Sequence, residues 1–397
     1  MKIAEINTCH YGSTGKIMLQ IAECARKHGH EAKTFSRQWK GQTLPNEEHT
    51  FFGSHFEHGL HHAMAKITGK SECYSFFGTK SLVKALKKFQ PDVLHLHNLH
   101  GFYLHLPTLF NYIKKYNVRV VWTLHDCWAF TGHCPYFDMV ECKKWRTGCH
   151  NCSQYKTYPE SVFDNAKAGY RRKQKWFTGV KDMTVVTPSK WLADLTKQSF
   201  LGEYPVEVIH NGIDLSVFKP TPSDFRKKYN CEGKYILLCV AFVWSKRKGM
   251  DVLIELSKRL GDNYRLVLVG INEKVESEMP ENVVCIRKTQ NQAELAEIYT
   301  AADVYVNPTR EDNFPTVNME SLACGTPVIT FQTGGSPEAL DETCGVVVGK
   351  GDVDGMEKAV REICEKAPFT QEACVARAKA FDKEDKFEQY VRLYESR

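Results

Sequence analysis

The feature that most constrains this chain is an alternation of short apolar runs with helical stretches, which passes once through the first half and then starts again. KIAEIN precedes KIMLQIAECARKHGH, DVLHLH precedes LPTLFNYIKKY, and VRVVWTLH and MTVVTPS lead to KWLADLTKQS. The pattern resumes with YILLCVAF and KGMDVLIELSKRL, then YRLVLVG, VVCIR, AELAEIYTAA, DVYVNP and PVITF. Strand–helix alternation of this kind argues a parallel, doubly wound α/β sheet. Because 397 residues exceed one ordinary core, two Rossmann-like domains with a cleft between them are the simplest account. The stretch PVEVIHNGIDLSVFKPTPSDF carries turn and linker chemistry, which puts the division near residue 205. The expectation is therefore one domain over 1–205 and a second over 206–380. A closing helix over 381–397, apolar at Phe387, Tyr390, Val391 and Tyr394, must bury that face and is expected to return to the first domain.

With 42% hydrophobic and 25% charged residues, the composition is that of a soluble globular protein, and no apolar run nears the ~18 residues that span a bilayer. The opening MKIAEINTCHYGSTGK lacks the apolar core of a signal peptide, so a cytoplasmic location is expected. Fifteen cysteines in such a chain are read as free thiols or metal ligands rather than disulfides. A net charge of +6 favours anionic partners such as diphosphates or a lipid surface and is too weak to argue nucleic acid.

In an open parallel sheet, ligands sit beyond the carboxyl ends of the strands. The segment TREDNFPTVNMESLACGTPVI follows one such strand and sets two acids, Asp312 and Glu320, around the turn Asn313, Phe314, Pro315. Glu320 is expected in the first turn of the next helix, where the N-terminus binds phosphate while a carboxylate accepts from two vicinal hydroxyls. That pairing suits a sugar nucleotide, and an acid that merely favours the helix dipole is the competing reading.

These residues resemble the signature of the retaining glycosyltransferases of family 4, which have the GT-B fold: Glu, seven residues, Glu, then a small-residue helix and a G-x-P-V-I strand. The resemblance extends through DVLHLHNLHGFY, WTLHDCWAFTGHC, VTPSKWLADL, IHNGIDLSVF and SKRKGMDVLIE, and is strongest to the branch that builds bacterial surface polysaccharides (capsule, exopolysaccharide, lipopolysaccharide). It implies that Glu320 holds the ribose of a nucleotide diphosphate sugar and that Asp312, where the family has Glu, meets the sugar hydroxyls. Asn313 and Phe314 would line the same donor site, although Pro315 cannot donate an N–H there. Lys248, followed by Gly249, would bind the donor diphosphate, a fixed cation for a growing charge. Arg247 or Lys246 would replace the arginine expected at Phe242. His125 in the His-Asp pair would face the transferred sugar, and Gly15 in YGSTGK would abut donor and acceptor. Gly334, Gly335 and Glu338 would lie near the sugar–diphosphate. YGSTGK also faintly resembles a P-loop, but its glycines are too close and Ile17 stands where Ser or Thr would hold magnesium.

The implied reaction moves a hexosyl group to a hydroxyl of a glycan or lipid-linked glycan with retention, the leaving phosphate taking the acceptor proton, and requires no cofactor. Asp352 and Asp354 read as a helix start rather than a metal grip. His95, His97 and His105 read as packing residues. Cys134, Cys142, Cys149 and Cys152 could close a tetrahedral structural zinc site that staples loop 130–155, with buried reduced thiols as the alternative. SHFEHGLHHAMAKITGK reads as a metal face, as a helix contacting acceptor or inner-membrane surface, or as a plain packed helix. A sugar-nucleotide epimerase of the same fold and a zinc-containing nucleic-acid binder are the rival functions. Base selection is placed near TQNQ at 289–292.

Overall fold

The computed structural model describes residues 1–396 apart from Lys40, Pro45 and Glu281. They form two compact units: one spans Met1–His210 and takes in the chain from Lys386 onward, and the other spans Asn211–Asp385.

The first unit holds seven parallel strands, β1 (Lys2–Ile6), β2 (Glu31–Arg37), β3 (His49–Phe52), β4 (Val93–Leu96), β5 (Arg119–Thr123), β6 (Met183–Thr187) and β7 (Val206–Val208). Their order is β3-β2-β1-β4-β5-β6-β7, so the winding reverses between β1 and β4. Val206–Val208, expected to open the second domain, instead pairs with β6. The division consequently falls after His210 rather than at 205.

Side chains alternate across a strand, and both faces of this sheet are covered. Ile3, Val93, Val121 and Val186 meet Ile17 and Ile21 of helix Gly12–Lys27 together with Phe387, Tyr390, Val391 and Tyr394 of the last helix. Ala4, Ile6, Leu94, Leu96 and Trp122 meet Leu82, Leu86, Leu109 and Phe110 on the opposite side. The last helix, Lys383–Glu395, is closed by a buried arginine. Arg119 donates to the carbonyls of Tyr394 at 2.6 Å, Leu393 at 2.7 Å and Ser396 at 3.0 Å. A cation on the otherwise unpaired carbonyls of a helix C-terminus satisfies both their hydrogen bonding and the dipole.

The second unit has six parallel strands, β8 (Tyr235–Val240), β9 (Tyr264–Val269), β10 (Val283–Ile286), β11 (Val304–Asn307), β12 (Val328–Phe331) and β13 (Gly345–Val348), in the order β10-β9-β8-β11-β12-β13. Its reversal lies between β8 and β11. Ile236, Leu238, Val267 and Tyr305 face Tyr299, Met319 and Leu322. Leu237, Leu268, Val306 and Ile329 face Leu253, Leu256 and Val360. The two reversals, each at the carboxyl end of its sheet, are where a doubly wound fold presents ligand-binding loops.

Tyr394 also reaches inward, its hydroxyl donating to His95 Nδ1 at 2.6 Å with both residues fully buried. Tyr394→Phe removes that donor and leaves a buried acceptor unpaired, so urea unfolding should show a loss of about 1–3 kcal/mol. Tyr116→Phe, on a half-exposed ring, should leave the midpoint unchanged.

Candidate functional site

In the second unit the loops after β8 and β11 are laced together across the reversal. Gly249 has a φ of 77°, and a Cβ there would lie on the carbonyl oxygen and ring of Pro308, so only glycine permits this approach. Arg310 N–H donates to Arg247 O at 2.8 Å, and the Arg247 guanidinium returns a bond to Glu311 O at 2.9 Å. Arg247, expected to replace a missing donor-site cation, thus spends one arm on holding the β11 loop. Phe242, where the family arginine was sought, is 99% exposed.

This lacing brings Lys248 to Asp312, with Nζ 2.5 Å from Oδ2 and both side chains about one-fifth exposed at 23% and 20%. Asp312 Oδ1 meanwhile accepts from Asn313 N–H at 2.9 Å, which fixes the carboxylate plane. Gly334, at a φ of 55°, lies so close that a Cβ would overlap the Asp312 carbonyl, and Gly335 N–H donates to Asn313 O at 2.9 Å. The Gly-Gly turn after β12 therefore supports the acid-bearing loop through its backbone. Asn313 and Phe314 are both buried, and the Phe314 ring packs on Phe381 in the core. What Phe314 can offer a ligand is its backbone.

Glu320 does not occupy the first turn of its helix. That helix is Thr316–Ala323, capped by extended Pro315, and its first turn holds no acid. Proline pre-sets the backbone so that the helix starts directly after it, which places Glu320 in the second turn. There its Oε2 accepts from the buried hydroxyl of Tyr299 at 3.2 Å. Burial, and then the Glu320 charge, push the Tyr299 phenol well up, so it remains a donor. The helix itself is anchored by polar residues that sequence reasoning missed. Asn307 donates to Asn318 Oδ1 at 2.8 Å, and Asn318 donates to Ser336 O and Oγ at 3.1 and 3.0 Å. Asn318 is fully buried between Val317 and Met319 in sequence, and an amide in an apolar run is the signal that could have found it.

Two other singled-out stretches have local hydrogen-bond partners. Asp352 caps helix Val353–Lys366 by accepting from Gly355 N–H at 2.8 Å, while Asp354 pairs with Arg259. In TQNQ, Asn291 caps the helix Gln292–Ala301 by accepting from Glu294 N–H at 2.9 Å, and the Glu294 carboxylate accepts from Gln290 N–H at 2.6 Å.

In the first unit, Gly15 is buried in the opening turn of helix Gly12–Lys27 against the Cys9–His10 backbone. His125 follows β5, and its Nε2 lies 3.1 Å from Nδ1 of His97, the two rings stacked at an angle of 12°. His97 Nε2 in turn lies 3.1 Å from Glu5 Oε2. His97, read from sequence as packing, therefore backs His125. Burial drives the Glu5 carboxyl well up and the His97 and His125 rings down, His125 to about 4. With all three neutral, a Glu5 O–H donates to His97, His97 Nδ1–H donates to His125 Nε2, and His125 carries its proton on Nδ1. Asp126, adjacent in sequence, turns instead to His100 Nε2 at 2.8 Å and to Trp128 N–H at 2.9 Å. His95 is held separately: Tyr394 donates to its Nδ1, and its Nε2–H meets Thr123 Oγ1 at 2.8 Å.

Cys134, Cys142, Cys149 and Cys152 line a single small cavity in the loop that follows β5. The histidine-rich helix His55–Thr68 buries His58 and His61, with His61 bonded to Ser75 Oγ at 2.8 Å and Ser71 O at 3.1 Å. Its Phe56, Leu60 and Ile67 are exposed. Among the described residues, no helix is long and apolar enough to cross a membrane.

All sixteen histidines lie at or before His210, within the first unit. Burial first of all lowers His49, His58 and His125 to about 4 and His61 and His95 to about 3. In an unfolded chain these rings take up protons near pH ~6.5. Below that value the unfolded state binds more protons, so stability is full above pH ~6.5 and falls by roughly 1.4 kcal/mol per pH unit for each buried ring. Glu5, raised by burial, acts with the opposite sign above the ordinary carboxylate range, one group against several. Calorimetry from pH 7.5 to 5 should therefore show the first unit melting progressively earlier than the second; parallel shifts would contradict the assignment.

Comparison with known proteins gives the family and the fold. The model for Glycosyltransferase Family 4 matches residues 14–217, and that for Glycosyl transferases group 1 matches residues 222–381. WcaC of Escherichia coli (strain K12), a glycosyl transferase that its name links to colanic acid biosynthesis, is 27% identical over 317 residues, 77% of this chain and 76% of that protein. Among solved structures, Anabaena HepE in complex with UDP superposes with a TM-score of 0.71 at 15% identity, covering 100% of both chains. Sucrose-phosphate synthase from Thermosynechococcus elongatus gives 0.70 at 17% identity, covering 99% of this chain and 98% of its own. At these identities the superpositions establish the fold, two Rossmann-like domains of the GT-B type.

Proposed function

The chain belongs to glycosyltransferase family 4, and we propose that it moves a hexosyl group from a nucleotide diphosphate sugar to a hydroxyl of a glycan, with retention at the anomeric carbon. The observation that carries the reading is the Lys248–Asp312 pair at the second sheet's reversal, with Glu320 on the helix that directly follows the same loop. An ammonium has three donors and a carboxylate about four acceptor positions. Lys248 can therefore keep Asp312 and still bind a phosphate oxygen, and Glu320 can keep Tyr299 and still accept from ribose hydroxyls.

In this reading Lys248 stabilises the charge that grows on the departing diphosphate, Asp312 orients the sugar, and Glu320 anchors the nucleoside. Retention follows if the acceptor attacks from the face the diphosphate leaves, its proton passing to the leaving phosphate, so no side-chain base is required. His125 would orient the donor sugar or the acceptor. Transfer is favoured over epimerisation by the family itself. The similarity to WcaC supports a surface polysaccharide as the product, and UDP in the HepE structure makes uridine nucleotides the first donors to try. A lipid-linked acceptor at the inner membrane would suit Phe56, Leu60 and Ile67, exposed on a helix that also carries Lys66.

Lys248→Ala and Glu320→Ala should each lower kcat/KM by about 100-fold or more, with unchanged circular dichroism. Loss at Glu320 should fall mainly on donor KM and loss at Lys248 mainly on kcat. Full activity in either variant would discredit the site. Retention is checked separately by the anomeric coupling constant of the product in NMR spectra.

A further inference from the structure

We propose that Cys134, Cys142, Cys149 and Cys152 hold one zinc ion in a closed tetrathiolate site that organises the loop between β5 and helix Ala166–Phe177. The chain from residue 131 to 165 has a single short 3-10 turn, Lys144–Arg146, as its regular structure. Structureless segments of that length are uncommon in a compact domain unless something ties them down. Yet Phe137 and Trp145, both from this segment, are buried with Phe130 in one aromatic cluster, ring centroids 5.2 to 6.4 Å apart. Cys142 and Cys149 pack against the same core.

The four sulfur-bearing residues come from both ends of the loop and converge on a cavity of ≈ 20 Å³, room for about one ion or one water. Its remaining wall includes Phe137, Trp145 and Ala166, with Thr131, His133, Lys144 and His150 as its polar members. Cys134 and Cys152 are in hydrogen-bond contact through their thiols. Gly132 N–H donates to Cys149 Sγ at 3.1 Å, a bond that favours the thiolate. Zn–S bonds of about 2.3 Å in a tetrahedron set sulfurs roughly 3.8 Å apart. Among the described residues the group with three ligand atoms all within 4.8 Å is Glu5, His95 and His97, so the four cysteine sulfurs stand farther apart than a bound ion would hold them. Binding would accordingly draw Cys142 and Cys149 inward toward the Cys134–Cys152 pair.

Charge supplies an independent argument. Four thiolates around a divalent ion leave a net charge of about −2, which a partly buried site must offset with a counter-charge. Lys144 lines the cavity, and Lys173, fully buried on the helix that follows the loop, donates to Trp128 O at 2.7 Å and stands 3.5 Å over the Trp128 ring. A buried ammonium beside a cysteine cluster is what a tetrathiolate centre needs and what four neutral thiols do not.

The test is metal analysis of the full chain purified without chelator or added metal. The expected result is about one zinc per chain, released by a thiol-directed mercurial and not by washing. Cys142→Ser should fall to a small fraction of that stoichiometry, while Cys285→Ser in the second unit should retain it. If Cys142→Ser is insoluble, replacement of zinc by cobalt in the native chain gives a second readout. Tetrahedral four-sulfur ligation then produces intense thiolate-to-metal charge-transfer and d–d bands. Native chain that holds no zinc even after incubation with zinc and gel filtration, cobalt bands of another ligand set, or a disulfide among these residues in freshly reduced protein would each overturn the site.

Discussion

The loops leaving β8 and β11 approach one another at a point where residue 249 has no side chain, and the candidate donor site depends on that approach. With any Cβ at 249, the Pro308 backbone would have to retreat. Lys248 would then lose Asp312, and the bonds between Arg247 and residues 310 and 311 would open. The fold places this contact at its reversal because the strands on either side send their crossovers to opposite faces, leaving a crevice that backbone alone can close. A second glycine, Gly334, repeats the device from β12 by lying on the Asp312 carbonyl. The acid loop is thereby fixed from two sides without a side chain entering the space a ligand would take.

The first unit uses a different device at its own reversal: buried hydrogen bonds between neutral titratable groups. Glu5 on β1, His97 just after β4 and His125 just after β5 form one line, and Tyr394, His95, Thr123 and Tyr390 form another beneath it. Buried polar networks of this type are costly when incomplete and rigid when satisfied, and Glu5 Oε1, buried without a hydrogen-bond partner, is the open end of the first line. The second line ties the last helix into the sheet through Tyr390 and Tyr394, while Arg119 closes the helix end. Order in the strand-end loops of this unit thus rests partly on residues from the far end of the chain.

Much of this was legible in the sequence because the strands are short apolar runs and the helices between them keep one apolar face; Phe387, Tyr390, Val391 and Tyr394 were readable on period alone. Errors came where a long-range contact decides the outcome. Val206–Val208 looked like linker, and pairing with β6 makes it a strand. Glu320 was placed one turn too early because Pro315 starts its helix at once. His97 is buried and hydrogen-bonded, as a packing histidine is, but no local pattern indicates that its partner is His125 or that Asp126 pairs with His100. Asn307, Asn318 and Ser336 lie far apart in sequence and carry no motif, yet they hold the Glu320 helix.

The central claim is that the second unit binds a nucleoside diphosphate through Lys248, Asp312 and Glu320. The most direct measurement is thermal stabilisation by UDP, GDP and ADP, with CMP for contrast, on the native chain and on Glu320→Ala. A ligand at about 100 times its dissociation constant adds roughly 2.7 kcal/mol to the state that binds it, a clear shift of the transition of the second unit. The account predicts that one diphosphate shifts that transition and that Glu320→Ala abolishes the shift. A native chain stabilised by none of them, or a shift that survives in Glu320→Ala, would contradict it.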